Sequence, residues 1–192
     1  MVRRAVFAAF LLLLLSTASV AAATRNVSIY NYGFKPATTQ GPIGMGVAFK
    51  NTTASTLHST TSDFAGLWTD DVAAGTTTTV LFWHSGAFPF HCRIHLFMKG
   101  TVKVKPTAAP TSGGPGTKFT VKVQALTSVP GWTQDIQKRK AGGTWQTWQS
   151  TTGLSVTFQT NIGGTYQFRS RERRTSDNAT TGWSPAVSIQ VI

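Results

Sequence analysis

The sequence predicts an all-β protein that folds as two successive sandwiches. Three features of its 192 residues point there. Apolar and polar residues alternate in short runs at Val27 and Ile29, Val47 and Phe49, Val80 and Phe82, Phe88 and Phe90, and Val102 and Val104. A period of two marks a strand with one buried face. Gly, Asn, Asp and Thr fill the gaps, and no long stretch has the 3.6-residue period of a helix. Between 106 and 116 the composition turns to Pro, Thr, Ala, Ser and Gly. That stretch reads as a linker, extended where Pro-rich and flexible where Gly-rich, so each half is expected to fold by itself.

Ahead of the first strand, residues 1–23 read as a secretory signal. Arg3 and Arg4 precede an apolar run from Ala5 to Leu15, and Ala21-Ala22-Ala23 offers a small-residue cleavage site. The run is too short to span a bilayer comfortably, and no cysteine near the cleavage point could carry a lipid. The mature chain is expected outside the cytoplasm, in a periplasm or at the cell exterior.

Residues 24–105 form the first expected domain, a small antiparallel sandwich near the lower size at which a core folds unaided. Its chemistry gathers in Phe88-Pro89-Phe90-His91-Cys92-Arg93-Ile94-His95-Leu96-Phe97-Met98. Alternation puts Phe88, Phe90 and Cys92 on one strand face and Pro89 and His91 on the other. Cys92 is the single cysteine of the chain, so it has no intrachain disulfide partner in an oxidising setting. His95 and Met98 follow it at intervals of three. Thiolate, imidazole and thioether suit copper in both oxidation states, and with a second imidazole they make a blue-copper electron-transfer site.

That loop, together with Phe34-Lys35-Pro36 and with Gly46-Val47-Ala48-Phe49-Lys50-Asn51 ahead of a lone His58, resembles the cupredoxins. The resemblance covers residues 25–105 and is closest to the amicyanin and plastocyanin type. The short Cys-x-x-His-x-x-Met loop is more similar to that of amicyanins. The resemblance implies a cupredoxin Greek-key β-sandwich with one type 1 copper, held by His58, Cys92, His95 and Met98. The setting of His58, after Asn51-Thr52-Thr53 and before Ser59-Thr60, fits a strand end or loop. His91 points away from Cys92, and His84, between Trp83 and Ser85 near a turn, reads as a surface or hydrogen-bonded histidine. Met45, in a Gly-rich turn, reads as a packing residue. The chain departs from its relatives at Ser59, where they often carry an Asn that ties the two ligand loops together. It departs again at Ile94 and Leu96, where short-loop relatives often carry prolines.

Residues 117–192 repeat the alternation at Phe119, Val121, Val123 and Ala125, at Val156 and Phe158, at Tyr166 and Phe168, and at Val187, Ile189 and Val191. Trp132, Trp145, Trp148 and Trp183 supply bulk for a core or its rim. Gly164-Thr165-Tyr166-Gln167-Phe168-Arg169-Ser170-Arg171, followed by Gly182-Trp183-Ser184, resembles a fibronectin type III domain, which implies an immunoglobulin-like sandwich. Without His, Cys or Met, this half is assigned no redox chemistry.

Charge supplies the last clue. Of a net +12, nine Lys or Arg against three Asp or Glu from Lys118 onward leave +6, and seven against three over 24–105 leave +4. Gln167, Arg169, Arg171 and Arg173 would line one strand face, and Lys138-Arg139-Lys140 sits near a turn. An anionic cell-surface polymer or an acidic protein would be drawn to this half; a solvated face serving solubility is the plainer alternative, and nucleic acid suits a secreted chain poorly.

The expected function is a secreted one-electron carrier, copper cycling between Cu(II) and Cu(I), that meets a redox partner protein near His95, Leu96 and Phe97. The alternative is an extracytoplasmic copper-binding or delivery protein using the same ligands. A multicopper enzyme would need several more histidines than the spare His84 and His91, so no enzyme is expected.

Overall fold

The structure, a computed structural model, describes residues 23–126 and 130–192. The expected signal segment lies outside the described residues except for Ala23. Nine strands make the first half: β1 (Thr24–Tyr30), β2 (Gly33–Lys35), β3 (Thr38–Pro42), β4 (Met45–Asn51), β5 (His58–Ser62), β6 (Thr69–Val72), β7 (Thr77–Phe82), β8 (Gly86–His91) and β9 (Lys99–Lys105). They form two sheets, β2-β1-β4-β7 and β3-β9-β8-β5-β6.

The first sandwich is mixed rather than antiparallel. β1 runs parallel to β4, and β3 parallel to β9. Parallel neighbours require a crossover. Here β3 supplies it, because the chain leaves the β1–β2 hairpin for the other sheet and returns in β4 beside β1.

Three rings lock the two sheets together. Phe34 and Phe49 come from one sheet and Phe90 from the other. Their centroids lie 4.7 Å (Phe34–Phe90) and 5.3 Å (Phe49–Phe90) apart, edge to face, an arrangement that adds to plain area burial. The register Phe90↔Gly100 brings a residue without a side chain against this cluster. A Cβ on Gly100 would lie 2.3 Å from Phe90 Cζ and 2.9 Å from the Ala37 carbonyl oxygen.

The second half comprises β10 (Thr107–Ala109), β11 (Ser112–Gly113), β12 (Phe119–Lys122), β13 (Trp132–Lys140), β14 (Gln146–Thr151), β15 (Ser155–Phe158), β16 (Gly164–Arg174) and β17 (Val187–Val191). A three-stranded sheet, β10-β12-β15, and a five-stranded one, β11-β17-β16-β13-β14, share a core around Phe119, Val121, Ile136, Phe168 and Ile189.

The expected flexible linker at 106–116 is therefore corrected. Its residues form two edge strands of the second sandwich, β10 against β12 and β11 parallel to β17. Pro106, Pro110 and Pro115 fall outside the paired positions, so their missing N–H groups leave no gap in a ladder.

The halves also touch directly, where the chain enters β8 through the small residues Ser85, Gly86 and Ala87. Ala87 and Gly182 exchange two backbone hydrogen bonds, of 2.8 and 2.9 Å. Ser85 donates to the Val123 carbonyl from both its N–H and its hydroxyl, and its Oγ meets that of Ser170. A Cβ on Gly182 would stand 3.0 Å from that of Ala87, so the close backbone approach depends on glycine.

Gly100→Ala is expected to destabilise the first sandwich by about 1–3 kcal/mol, the usual cost of overfilling a packed core. Gly114→Ala, with nothing within 4 Å of the added Cβ, should leave stability nearly unchanged. Urea unfolding of both variants checks the contrast.

Candidate metal centre

The site lies at one end of the first sandwich, where β5 begins and the β8–β9 loop turns. The burial pattern of β8 alternates as its sequence does, and the strand ends by placing Cys92 in the core, fully buried. The loop then closes on itself. The Cys92 N–H donates to the Met98 carbonyl at 3.1 Å, His95 N–H to Cys92 O at 3.2 Å, and Met98 N–H to His95 O at 2.9 Å. These bonds supply the rigidity that prolines would otherwise lend. Met98 is buried and His95 half-buried.

His58 opens β5 and is completely buried. Its Nδ1 lies 3.9 Å from Cys92 Sγ, and the Nδ1 of His95 lies 3.6 Å from the same sulfur. All three donor atoms fall within 4.8 Å of one another. Metal bonds of about 2.0 Å to nitrogen and 2.3 Å to thiolate, opened to 110–120°, separate the two atoms by about 3.5–3.7 Å. The spacing fits one ion between them.

Burial first, and the His95 imidazole second, lower the His58 pKa. Its ring therefore stays neutral to more acid pH than a free histidine, with a lone pair available to a metal. His58 Nε2 has no hydrogen-bond partner among the described residues. The usual orienting bond on a ligating imidazole is replaced here by ring packing: Tyr32 stands edge-on to His58 at 5.8 Å and to His95 at 4.8 Å.

Ser59 ties the start of β5 to the β8–β9 loop. Its hydroxyl accepts the Arg93 N–H at 2.8 Å, while its own N–H points at Cys92 Sγ at 3.3 Å. The β4–β5 connection is held by Asn51, whose Nδ2 donates to the Thr56 and Val72 carbonyls, both at 2.8 Å. Arg93 is drawn to the rim by a forked pair with Asp71 at 2.5–3.0 Å.

The other two histidines lie elsewhere. His91, on the opposite face of β8, bonds Asp63 at 2.5 Å, and His84 Nδ1 pairs with Glu172 of the second sandwich. Met45 is buried in the core, its sulfur over Gly41. Around His95, Leu96 and Phe97 are 66% and 71% exposed, which excludes an inward packing role for both. Tyr32 was not legible as a site residue. It sits in the Asn31-Tyr32 hairpin turn with φ of 59°, a strained choice for an aromatic, and no motif marks it.

No family model and no curated protein matches the chain. Solved structures similar to its first half include amicyanin from Paracoccus versutus, at 20% identity over 45% of this chain and 86% of that one, with a TM-score of 0.39. A purple cupredoxin from Nitrosopumilus maritimus matches at 21% identity over 43% and 98%, TM-score 0.38. A copper-containing nitrite reductase from Thermus scotoductus matches at 23% identity over 44% of this chain, which spans only 22% of the enzyme, TM-score 0.38.

Ser59→Ala is expected to cost about 1–2 kcal/mol, because the Arg93 N–H loses its acceptor beside a buried sulfur. Chemical denaturation of the metal-free protein measures it; Ser59→Thr, which keeps a hydroxyl, should recover part of the loss.

Proposed function

We propose that the chain is an extracytoplasmic blue-copper protein that carries single electrons, with one copper that His58, Cys92, His95 and Met98 would hold. The observation that carries this reading is the preformed cluster of Cys92 Sγ and two imidazole Nδ1 atoms within 4.8 Å. Copper bound there would supply a one-electron Cu(II)/Cu(I) couple. The chain's part is to keep water from the sulfur and to hold its donors still, through the buried Phe34, Phe49 and Phe90 beneath and the Ser59 bonds beside it. Delivery of copper to another protein is the second reading. Full burial of Cys92 and His58 favours the carrier, since a delivered ion must be handed over through an open site.

His95 reaches the surface amid Leu96, Phe97 and Tyr32, all more than half exposed. This small apolar patch suits a brief encounter with a redox partner, which uses little contact area and avoids a large desolvation cost.

The second sandwich is read as the part that draws an anionic cell-surface polymer, with an acidic protein as the alternative. Its cations are not a freely solvated face. They alternate with indole rings in the order Arg139, Trp145, Arg169, Trp183, Arg171, with guanidinium-to-ring separations of 4.4–5.0 Å. Burial, then Arg139 and Arg171, lower the Arg169 pKa. Mutual repulsion in such a stack is relieved by an added anion.

Addition of Cu(II) is expected to give a blue protein with one copper per chain, through thiolate-to-copper charge transfer. Cys92→Ser should abolish the colour and His84→Gln leave it; a colourless complex of the natural chain rejects the carrier reading. Leu96→Glu should keep the band while slowing electron self-exchange at least about tenfold, and a shifted band would place Leu96 in the site instead. For the second sandwich, affinity for polygalacturonate should fall steeply with added NaCl and fall again in Arg169→Ala. Binding that ignores salt would remove the electrostatic reading.

A further inference from the structure

The turn between β1 and β2 holds an aromatic residue where the backbone favours glycine. Tyr30 pairs with Gly33, so Asn31 and Tyr32 are the two central residues of a tight hairpin turn. Both have positive φ, 41° and 59°. That is the pattern of a type I′ turn, whose central positions suit Asn followed by Gly. Among the described residues every other positive φ belongs to a glycine or to Asn178. Asparagine tolerates this region far better than a bulky aromatic does. Burial does not offset the strain, because Tyr32 remains 51% exposed.

The contacts of the ring point to another use. Tyr32 lies edge to face with His95 at 4.8 Å and with His58 at 5.8 Å, and tilted against Phe97 at 6.3 Å. His58 opens β5 and His95 belongs to the β8–β9 loop. The turn therefore sets a third segment of chain against both imidazoles. His95 is only half-buried, so the protein interior does not enclose its ring. Backbone strain persists where the surroundings impose it, and it gathers at functional sites.

We propose that Tyr32 is a positioning residue of the candidate metal centre. Its ring holds the His95 imidazole, and more distantly that of His58, with both Nδ1 atoms toward Cys92 Sγ. The inference rests on the metal reading of His58, Cys92 and His95 given above.

The test compares Tyr32→Gly, Tyr32→Ala and Tyr32→Phe in the full chain. Urea unfolding is measured without metal, and Co(II) binding is followed through thiolate-to-cobalt absorption. Tyr32→Gly relieves the backbone, so its urea midpoint should equal or exceed that of the natural chain. Its Kd for Co(II) should nevertheless rise at least about tenfold, the usual cost of losing a group that orients a ligand. Tyr32→Ala should lose the same affinity at a lower midpoint than Tyr32→Gly. Tyr32→Phe keeps the ring and should keep the natural Kd. In the metal-free chain, NMR relaxation of the His95 imidazole carbons should report a more mobile ring in Tyr32→Gly and an unchanged one in Tyr32→Phe. Natural Co(II) affinity in Tyr32→Gly overturns the proposal. A lowered midpoint in that variant, falling together with affinity, overturns it as well, since Tyr32 would then serve stability alone. A His95 ring as rigid in Tyr32→Gly as in the natural chain also overturns it, and so does Tyr32→Phe behaving like Tyr32→Gly. A natural chain that takes up no Co(II) rejects the metal reading itself, and this inference with it.

Discussion

Everything at the candidate metal centre depends on β5 being held against the turn that follows β8. The contact is small: the Ser59 hydroxyl on the Arg93 N–H, and the Ser59 N–H on Cys92 sulfur. It joins residues 33 and 34 positions apart in the chain, and it fixes how far His58 stands from the loop that brings the other donors. Without it the loop would still present Cys92 and His95 together, because its own three backbone bonds hold them. The second imidazole would have no fixed address. The aromatic lock of Phe34, Phe49 and Phe90 acts one layer below, since it sets the spacing of the two sheets from which these elements project.

The same economy appears at the surface of the site. Arg93 and His91 flank Cys92 and could each have confused its chemistry. Asp71 and Asp63 take them outward, leaving a rim whose exposed residues around His95 are apolar. A charge that is paired at the edge of a site perturbs the metal less than one left free above it. The result is a buried donor set with a single half-exposed imidazole leading to solvent.

The second sandwich is more than an appendage, because it docks through backbone groups where the chain enters β8. Ser85, Gly86 and Ala87 are small, and so is Gly182 opposite them, which permits main-chain hydrogen bonds between two folded units. The packing of Tyr32 on His58 and His95 and the Trp–Arg stack share one property: each is assembled from residues distant in sequence, and neither follows a spacing that local chemistry dictates.

Much of this was legible beforehand, for identifiable reasons. Cys92, His95 and Met98 lie within seven residues, so the donor types and the backbone turn that gathers them are local properties. The alternating runs at Val27, Val47, Phe88, Val102, Phe119, Phe168 and Val187 became strands because a period of two has one way to bury its apolar face. β5 escaped the alternation rule, since Ser59, Thr60 and Ser62 are buried without being apolar. The segment from 106 to 116 misled because edge strands tolerate the Pro, Thr and Ser that also make linkers. Short-range chemistry thus determined which candidate donors the chain gathers in one loop and which residues face inward. Tertiary structure alone decided where His58 meets them, that β1 runs parallel to β4, and that His84 belongs with Glu172 of the other sandwich. Those outcomes depend on packing between sheets, and packing energy has no trace in the order of neighbouring residues.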